Sequence, residues 1–236
     1  MSDFYHSLLD QKLFSMFRRV IPFLFFFLLS ACQPTARTEF ELREGDLLFQ
    51  DSDCGAFCEA IEAVTEGIDG EEYSHVGLVM QAEADSLRVM EATTAGVVFT
   101  PVSDFLARSQ DAEGQPKVAV GRLKPPHRHL IPGAVAFIRT KKEAPYDFAF
   151  RIANDSFYCS ELIHLAFQEA NAGRPVFDTP PMTFQRPGTD TTFAVWQEYF
   201  EQHQLPIPEG EPGLNPGSMS RSPYLDIVHR YGQPER

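Results

Sequence analysis

The chain has 236 residues, 43% of them hydrophobic and 22% charged, which suits one globular domain with a sizeable core. Its 33 Asp and Glu outnumber 20 Lys and Arg, leaving a formal net charge of -13. So acidic a body argues against nucleic acid as a partner and against electrostatic docking on anionic lipid; its first effect is to keep the protein soluble.

At the N-terminus, Arg18-Arg19 precede an apolar run from Val20 to Leu29, followed by Ser30-Ala31-Cys32. A basic region, a short apolar stretch and small residues before a cleavage point make a secretory signal over residues 1–31. The run is shorter than the roughly 20 residues a spanning helix needs. Leu29-Ser30-Ala31-Cys32 resembles a bacterial lipobox, which implies that Cys32 receives the lipid and becomes the mature N-terminus; an uncleaved anchor is the alternative. Met16 is a second possible start, because residues 1–15 add nothing to such a signal. Gln33 after the cysteine fits sorting to the outer membrane of a two-membrane bacterium, facing the periplasm.

Residues 32–42 read as a polar tether. Asp46 to Gln50 is a short strand, and Ser52-Asp53 offers an N-cap for a helix reaching about Thr65. An acidic loop, Gly67 to Glu72, leads into the strand Ser74-His75-Val76-Gly77-Leu78-Val79-Met80. Further strands are expected at Leu87–Ala92, Val97–Thr100 and Val118–Leu123, with a helix at about Val102–Arg108. Pro132 at the first helical position starts another helix, with Ala134, Phe137 and Ile138 as its apolar stripe. Tyr158 to Asn171 is a helix ended by Gly173. A proline- and threonine-rich loop over 175–192, an amphipathic stretch from Phe193 to His203 and an irregular proline-rich tail complete the chain.

Three residues carry the chemistry. Cys159 falls in the first turn of its helix, near unpaired N–H groups and the positive end of the macrodipole, which favour the reactive thiolate. A small buried hydrophobe is the bland alternative. His75 opens its strand and Glu91 stands near the end of the next. Neighbouring antiparallel strands of this length can set the two side by side on one face; taken singly, His75 reads as a strand-end polar residue and Glu91 as a solvated edge charge. A cysteine nucleophile needs a base in reach, and the base needs a third group to fix its tautomer. Cys54 and Cys58 lie on adjacent turns of one helix, either disulfide-bonded or as two buried thiols. His127-Arg128-His129 sits in a proline-flanked loop, and no ligand set points to a metal or cofactor.

Gly45-Asp46-Leu47-Leu48-Phe49, Tyr73-Ser74-His75-Val76-Gly77, Glu91-Ala92, Tyr146-Asp147-Phe148, Tyr158-Cys159-Ser160-Glu161-Leu162 and Ser222-Pro223-Tyr224-Leu225 resemble the circularly permuted papain-like cysteine hydrolases of the NlpC-type superfamily, in their YiiX/YaeF-like branch. The similarity runs from about Arg43 to about Val228. It implies an α+β, permuted papain-like fold, a small antiparallel sheet packed on helices with the nucleophile at a helix N-terminus. It assigns nucleophile, base and orienting carboxylate to positions matching Cys159, His75 and Glu91. Papain-like enzymes usually place the cysteine helix before the histidine strands; here it follows, as in a permuted form.

The expected protein is therefore a lipid-anchored cysteine hydrolase. Its catalytic domain, residues 43–230 with a proline-rich extension, cleaves an amide or ester through a thioester acyl-enzyme. Cell-envelope peptides or lipid acyl groups are the substrates in reach, with Tyr158, Tyr146 and Asp147 as candidate substrate contacts. Tyr158 has an ordinary packing aromatic as its alternative, Asp147 a loop-capping one, and Glu161 reads as structural. A monomer is expected, with the membrane as a partner only through the lipidated N-terminus. The rivals are an acyltransferase using the same site and a binding lipoprotein without turnover.

Overall fold

A computed structural model describes residues 40–83, 86–152 and 154–234. The signal segment, Cys32 and nearly all of the tether lie outside these residues. Six strands, β1 (Leu47–Gln50), β2 (His75–Glu83), β3 (Ser86–Thr93), β4 (Gly96–Pro101), β5 (Val118–Leu123) and β6 (Leu225–Arg230), form one antiparallel sheet in the order β4-β3-β2-β1-β5-β6. Two helices, α3 (Ile131–Thr140) and α4 (Cys159–Ala170), pack against each other, and α4 lies across β2 and β3. The other helices are α1 (Ala56–Glu62), α2 (Val102–Leu106), α5 (Ala194–His203) and α6 (Pro216–Ser220). Among the described residues no helix is long and apolar enough to cross a membrane.

The period-2 pattern of the strands explains the layering. Leu47 and Phe49, Val76, Leu78 and Met80, and Met90 and Ala92 share the face that meets Leu162, Ile163, Ala166 and Phe167 of α4 and Ala134 and Ile138 of α3. Each such side chain, taken out of water, contributes about 1.5–3 kcal/mol before entropy is charged against it. Strand alternation and the 3.6-residue stripe of α4 thus fix where the cysteine end of that helix sits over the sheet.

Local chemistry moves three expected boundaries. Helix α1 starts at Ala56, after Gly55 with φ 64, and has no side-chain cap. Asp53 does not cap it, because its carboxylate accepts from Lys117 Nζ at 2.7 Å, and a charged donor outcompetes a neutral amide. The His127-Arg128-His129 loop is a 3-10 helix over Pro125–Leu130. The irregular tail contains α6, capped by Asn215 accepting from Ser218 N at 2.9 Å, and the edge strand β6. Cys54 and Cys58 are joined in a disulfide, which closes a loop too small to add much stability.

Candidate active site

The start of α4 is built by its neighbours. Tyr158 is the N-cap in extended backbone, and its N–H donates to the fully buried Glu161 carboxylate at 3.3 Å. Ser160 Oγ donates to the Leu214 carbonyl at 2.8 Å, tying the first turn to the segment before α6. These bonds place Cys159, 8% exposed, at the first position of the helix, where its N–H has no intrahelical acceptor. Glu161 is fully buried and its carboxylate accepts the N-cap N–H, so it serves to start the helix.

His75 opens β2 opposite Gln50 of β1. The register that pairs Leu78 with Met90 sets Gly77 opposite Glu91, so Glu91 is the diagonal neighbour of His75 on one face. Gly77 makes this contact possible. A Cβ there would stand 2.3 Å from Val89 Cγ1 and 3.2 Å from the Met90 carbonyl oxygen, so β3, which carries Glu91, could not lie this close to β2. Glu91 Oε2 lies 2.6 Å from His75 Nε2. An ionised carboxylate only accepts, so the ring proton sits on Nε2, and Nδ1 is the nitrogen left to exchange a proton with Cys159, the other group that acts on the ring.

Glu91 has no exposed surface, and a buried carboxylate needs partners. It has three. Besides His75, Arg108 Nη1 donates to Oε2 and Nη2 to Oε1, each at 2.6 Å, and Thr100 Oγ1 donates to Oε1 at 2.5 Å. Burial alone would raise the Glu91 carboxyl; the hydrogen bonds from His75 and Arg108 outweigh it and hold it down at about 2. Burial alone would lower His75, but Cys159 and Glu91 on either side push it up to about 9. The geometry therefore favours an imidazolium held against the Glu91 carboxylate, able to pass one proton to a group bound at the sulfur.

Cys159, His75 and Arg108 line a cavity of about 690 Å³, walled by Phe57, Ile61, Phe150, Phe184, Trp196 and Leu214 and by the Cys54–Cys58 disulfide. Tyr146 and Tyr158 also face it. Pairing of Tyr146 with Phe157 brings residue 146 alongside the helix start. Burial, then the neighbouring Cys159, raises the Tyr146 hydroxyl well above its ordinary range, so it stays a donor. The Tyr158 hydroxyl is raised by burial and Glu161, and accepts from Leu214 N at 3.4 Å. Asp147 is different. It does not line the cavity; its Oδ1 accepts from Ala149 N at 2.8 Å and its Oδ2 from Arg151 N at 2.6 Å. The loop's own amides engage both oxygens, so the geometry corrects the substrate-contact reading of Asp147 to its loop-capping alternative.

Arg108, Thr100 and the aromatic wall were not singled out from the sequence. One signal pointed to a cation: Glu91 stands in the apolar run Val89-Met90-Glu91-Ala92, and a carboxylate buried there demands a counter-charge.

The family model described as "Permuted papain-like amidase enzyme, YaeF/YiiX, C92 family" matches residues 41–229. The chain belongs to that family. The family is one of cysteine peptidase and amidase-like hydrolases, which is the class of this chain. Among solved structures, the chain is similar to a crystal structure of metalloprotein yiiX from Escherichia coli O157:H7, with TM-score 0.63 and 24% identity over 82% of this chain and 99% of that one. At that identity the likeness speaks for the fold. A comparison with curated proteins gave no match. That neighbour is described as a metalloprotein, and the donor set here does not fit a metal: Arg108 caps both oxygens of Glu91, and its charge repels a cation beside them. Among the described residues no group of three or more His, Cys, Asp or Glu forms a metal-binding cluster.

Proposed function

We propose that the protein hydrolyses an amide or ester acyl bond with Cys159 as nucleophile, His75 as base and acid, and Glu91 as the group that orients and charges His75. The observation that carries this reading is the His75 imidazole bonded to the buried Glu91 carboxylate and set with Cys159 on the wall of one cavity. The Cys159 thiolate attacks the acyl carbonyl, and the carbonyl electrons move onto oxygen. The helix-start N–H of Cys159 is placed to donate to that oxygen, and one such donor is typically worth about 10²–10³ in rate. His75 then gives its proton to the departing amine or alcohol as the C–N or C–O bond breaks, leaving a thioester. Water, deprotonated by His75, attacks the thioester; the acid departs and the thiolate–imidazolium pair returns.

The aromatic wall favours a small amide or lipid acyl group over a cell-wall peptide. A lipidated Cys32 would hold the site at the periplasmic face of an outer membrane, within reach of such substrates. The test is intact-mass analysis of purified protein incubated with a long-chain N-acyl amide, a short acyl amide and a cell-wall peptide. The expected result is an acyl adduct on Cys159 from the long-chain amide, absent in Cys159→Ala. Adducts from the peptide alone would overturn the substrate assignment, and release of free acid by Cys159→Ala would overturn the mechanism.

A further inference from the structure

We propose that Arg108 is a positioning residue of this site, clamping Glu91 through both carboxylate oxygens and tempering the negative charge that His75 feels. Its catalytic consequence rests on the hydrolase reading above; its electrostatic consequence does not.

The geometry has three parts. The two guanidinium nitrogens reach Glu91 in a fork, each at 2.6 Å, the planar match that arginine makes and lysine does not. The Arg108 guanidinium stands 5.3 Å over the Phe105 ring, whose other neighbour is the His75 ring at 5.8 Å. Phe105 is fully buried, so one wedge sets the height of both the cation and the imidazole. Finally, the Arg108 side chain is 38% exposed and lines the cavity while Glu91 beneath it is sealed, so the arginine is the lid that keeps water off the carboxylate.

A rigid anion bound only to His75 would hold the imidazolium so strongly that it gave up its proton reluctantly. Sharing the carboxylate with a permanent cation keeps Glu91 ionised and fixed while weakening that hold. The groups facing His75 are Glu91 from β3, Cys159 from α4, Arg108 just after α2 and the neutral Gln50 of β1. Tyr146 stands beside Cys159, and Asp104 acts on Arg108.

The test is the titration of the His75 ring, followed by nitrogen NMR in the Cys159→Ser protein, where the thiolate no longer contributes and no turnover is needed. With Arg108→Gln the His75 midpoint should rise by about one pH unit, as expected on removing a cation a few ångströms away. Arg108→Lys should restore most of that shift. In the Glu91→Gln background, which leaves no buried carboxylate to orphan and so guards against misfolding, Arg108→Gln should move the midpoint by less than half as much. An unchanged or lowered midpoint in Arg108→Gln, or an equal shift with and without Glu91, would overturn the proposal. Absence of acyl hydrolysis in the unmutated protein, which keeps Cys159, with the midpoint shift intact in the Cys159→Ser series, would instead overturn the hydrolase reading and leave the clamp standing.

Discussion

Four hydrogen bonds end on the two oxygens of Glu91, and they divide between holding the carboxylate and using it. Glu91→Gln keeps the shape but loses the charge that stabilises the imidazolium, so turnover should fall while the fold and Cys159 stay in place. Glu91→Ala should be worse. The loss in serine triads reaches about 10⁴; here a milder loss is expected, read as kcat/KM on the substrate that acylates Cys159. Full activity in both variants would reduce the site to a Cys–His dyad. The same residues shape stability. Glu91 is held down at about 2 when folded, so its contribution is present above its ordinary value near 4.5 and is lost as pH falls from there toward 2. His75 is held up at about 9, so its contribution is present below 6.5 and is lost as pH rises through 9. Melting temperature against pH should fall on both flanks, and Glu91→Gln should flatten the acid flank.

Among the elements, the β2–β3 pair decides whether His75 and Glu91 meet. Gly77→Ala places a methyl against Val89 and the Glu91 stem, an overpacking that typically costs about 1–3 kcal/mol. Denaturant unfolding should show that loss, and activity should drop further than stability alone explains, because the clash at Val89 moves the strand that carries Glu91. A fully active, fully stable Gly77→Ala protein would remove the spacer role. The strands and α4 were legible in the sequence because Val118–Leu123 is a short apolar run rich in valine and the 3.6-residue stripe is strong over Leu162–Phe167. His75, Glu91 and Cys159 were legible because a base, a carboxylate and a helix-start thiol are each demanded by one chemistry. Arg108 was not, because it reaches Glu91 across β4 and α2 from 17 residues away, and no local pattern encodes that meeting. Strand β6 was hidden by the mixed Leu-Asp-Ile-Val-His-Arg run of an edge strand exposed on one side. The N-cap at Ser52-Asp53 misled because the buried ammonium of Lys117, far along the chain, claims the aspartate.

On the scale of the whole molecule, an acidic body of net charge -13 needs a tether to stay at an anionic membrane, since charge repels it from that surface. Cys32→Ser should release the protein from membranes or leave its precursor unprocessed, checked by fractionation and mass of the mature N-terminus. A Cys32→Ser protein still membrane-bound with an acylated N-terminus would sink the lipobox reading. The Cys54–Cys58 disulfide has a consequence for the same protein as a chemical object. With those two sulfurs joined, Cys159 is the one free thiol among the described residues. In a protein whose Cys32 is lipidated or replaced, a thiol-directed label applied under oxidising conditions therefore counts Cys159 directly, giving a titre of the proposed nucleophile before any substrate is known. The same label applied after reduction finds three sulfurs around one cavity, so a preparation made in a reducing compartment carries two competitors at the mouth of its own site.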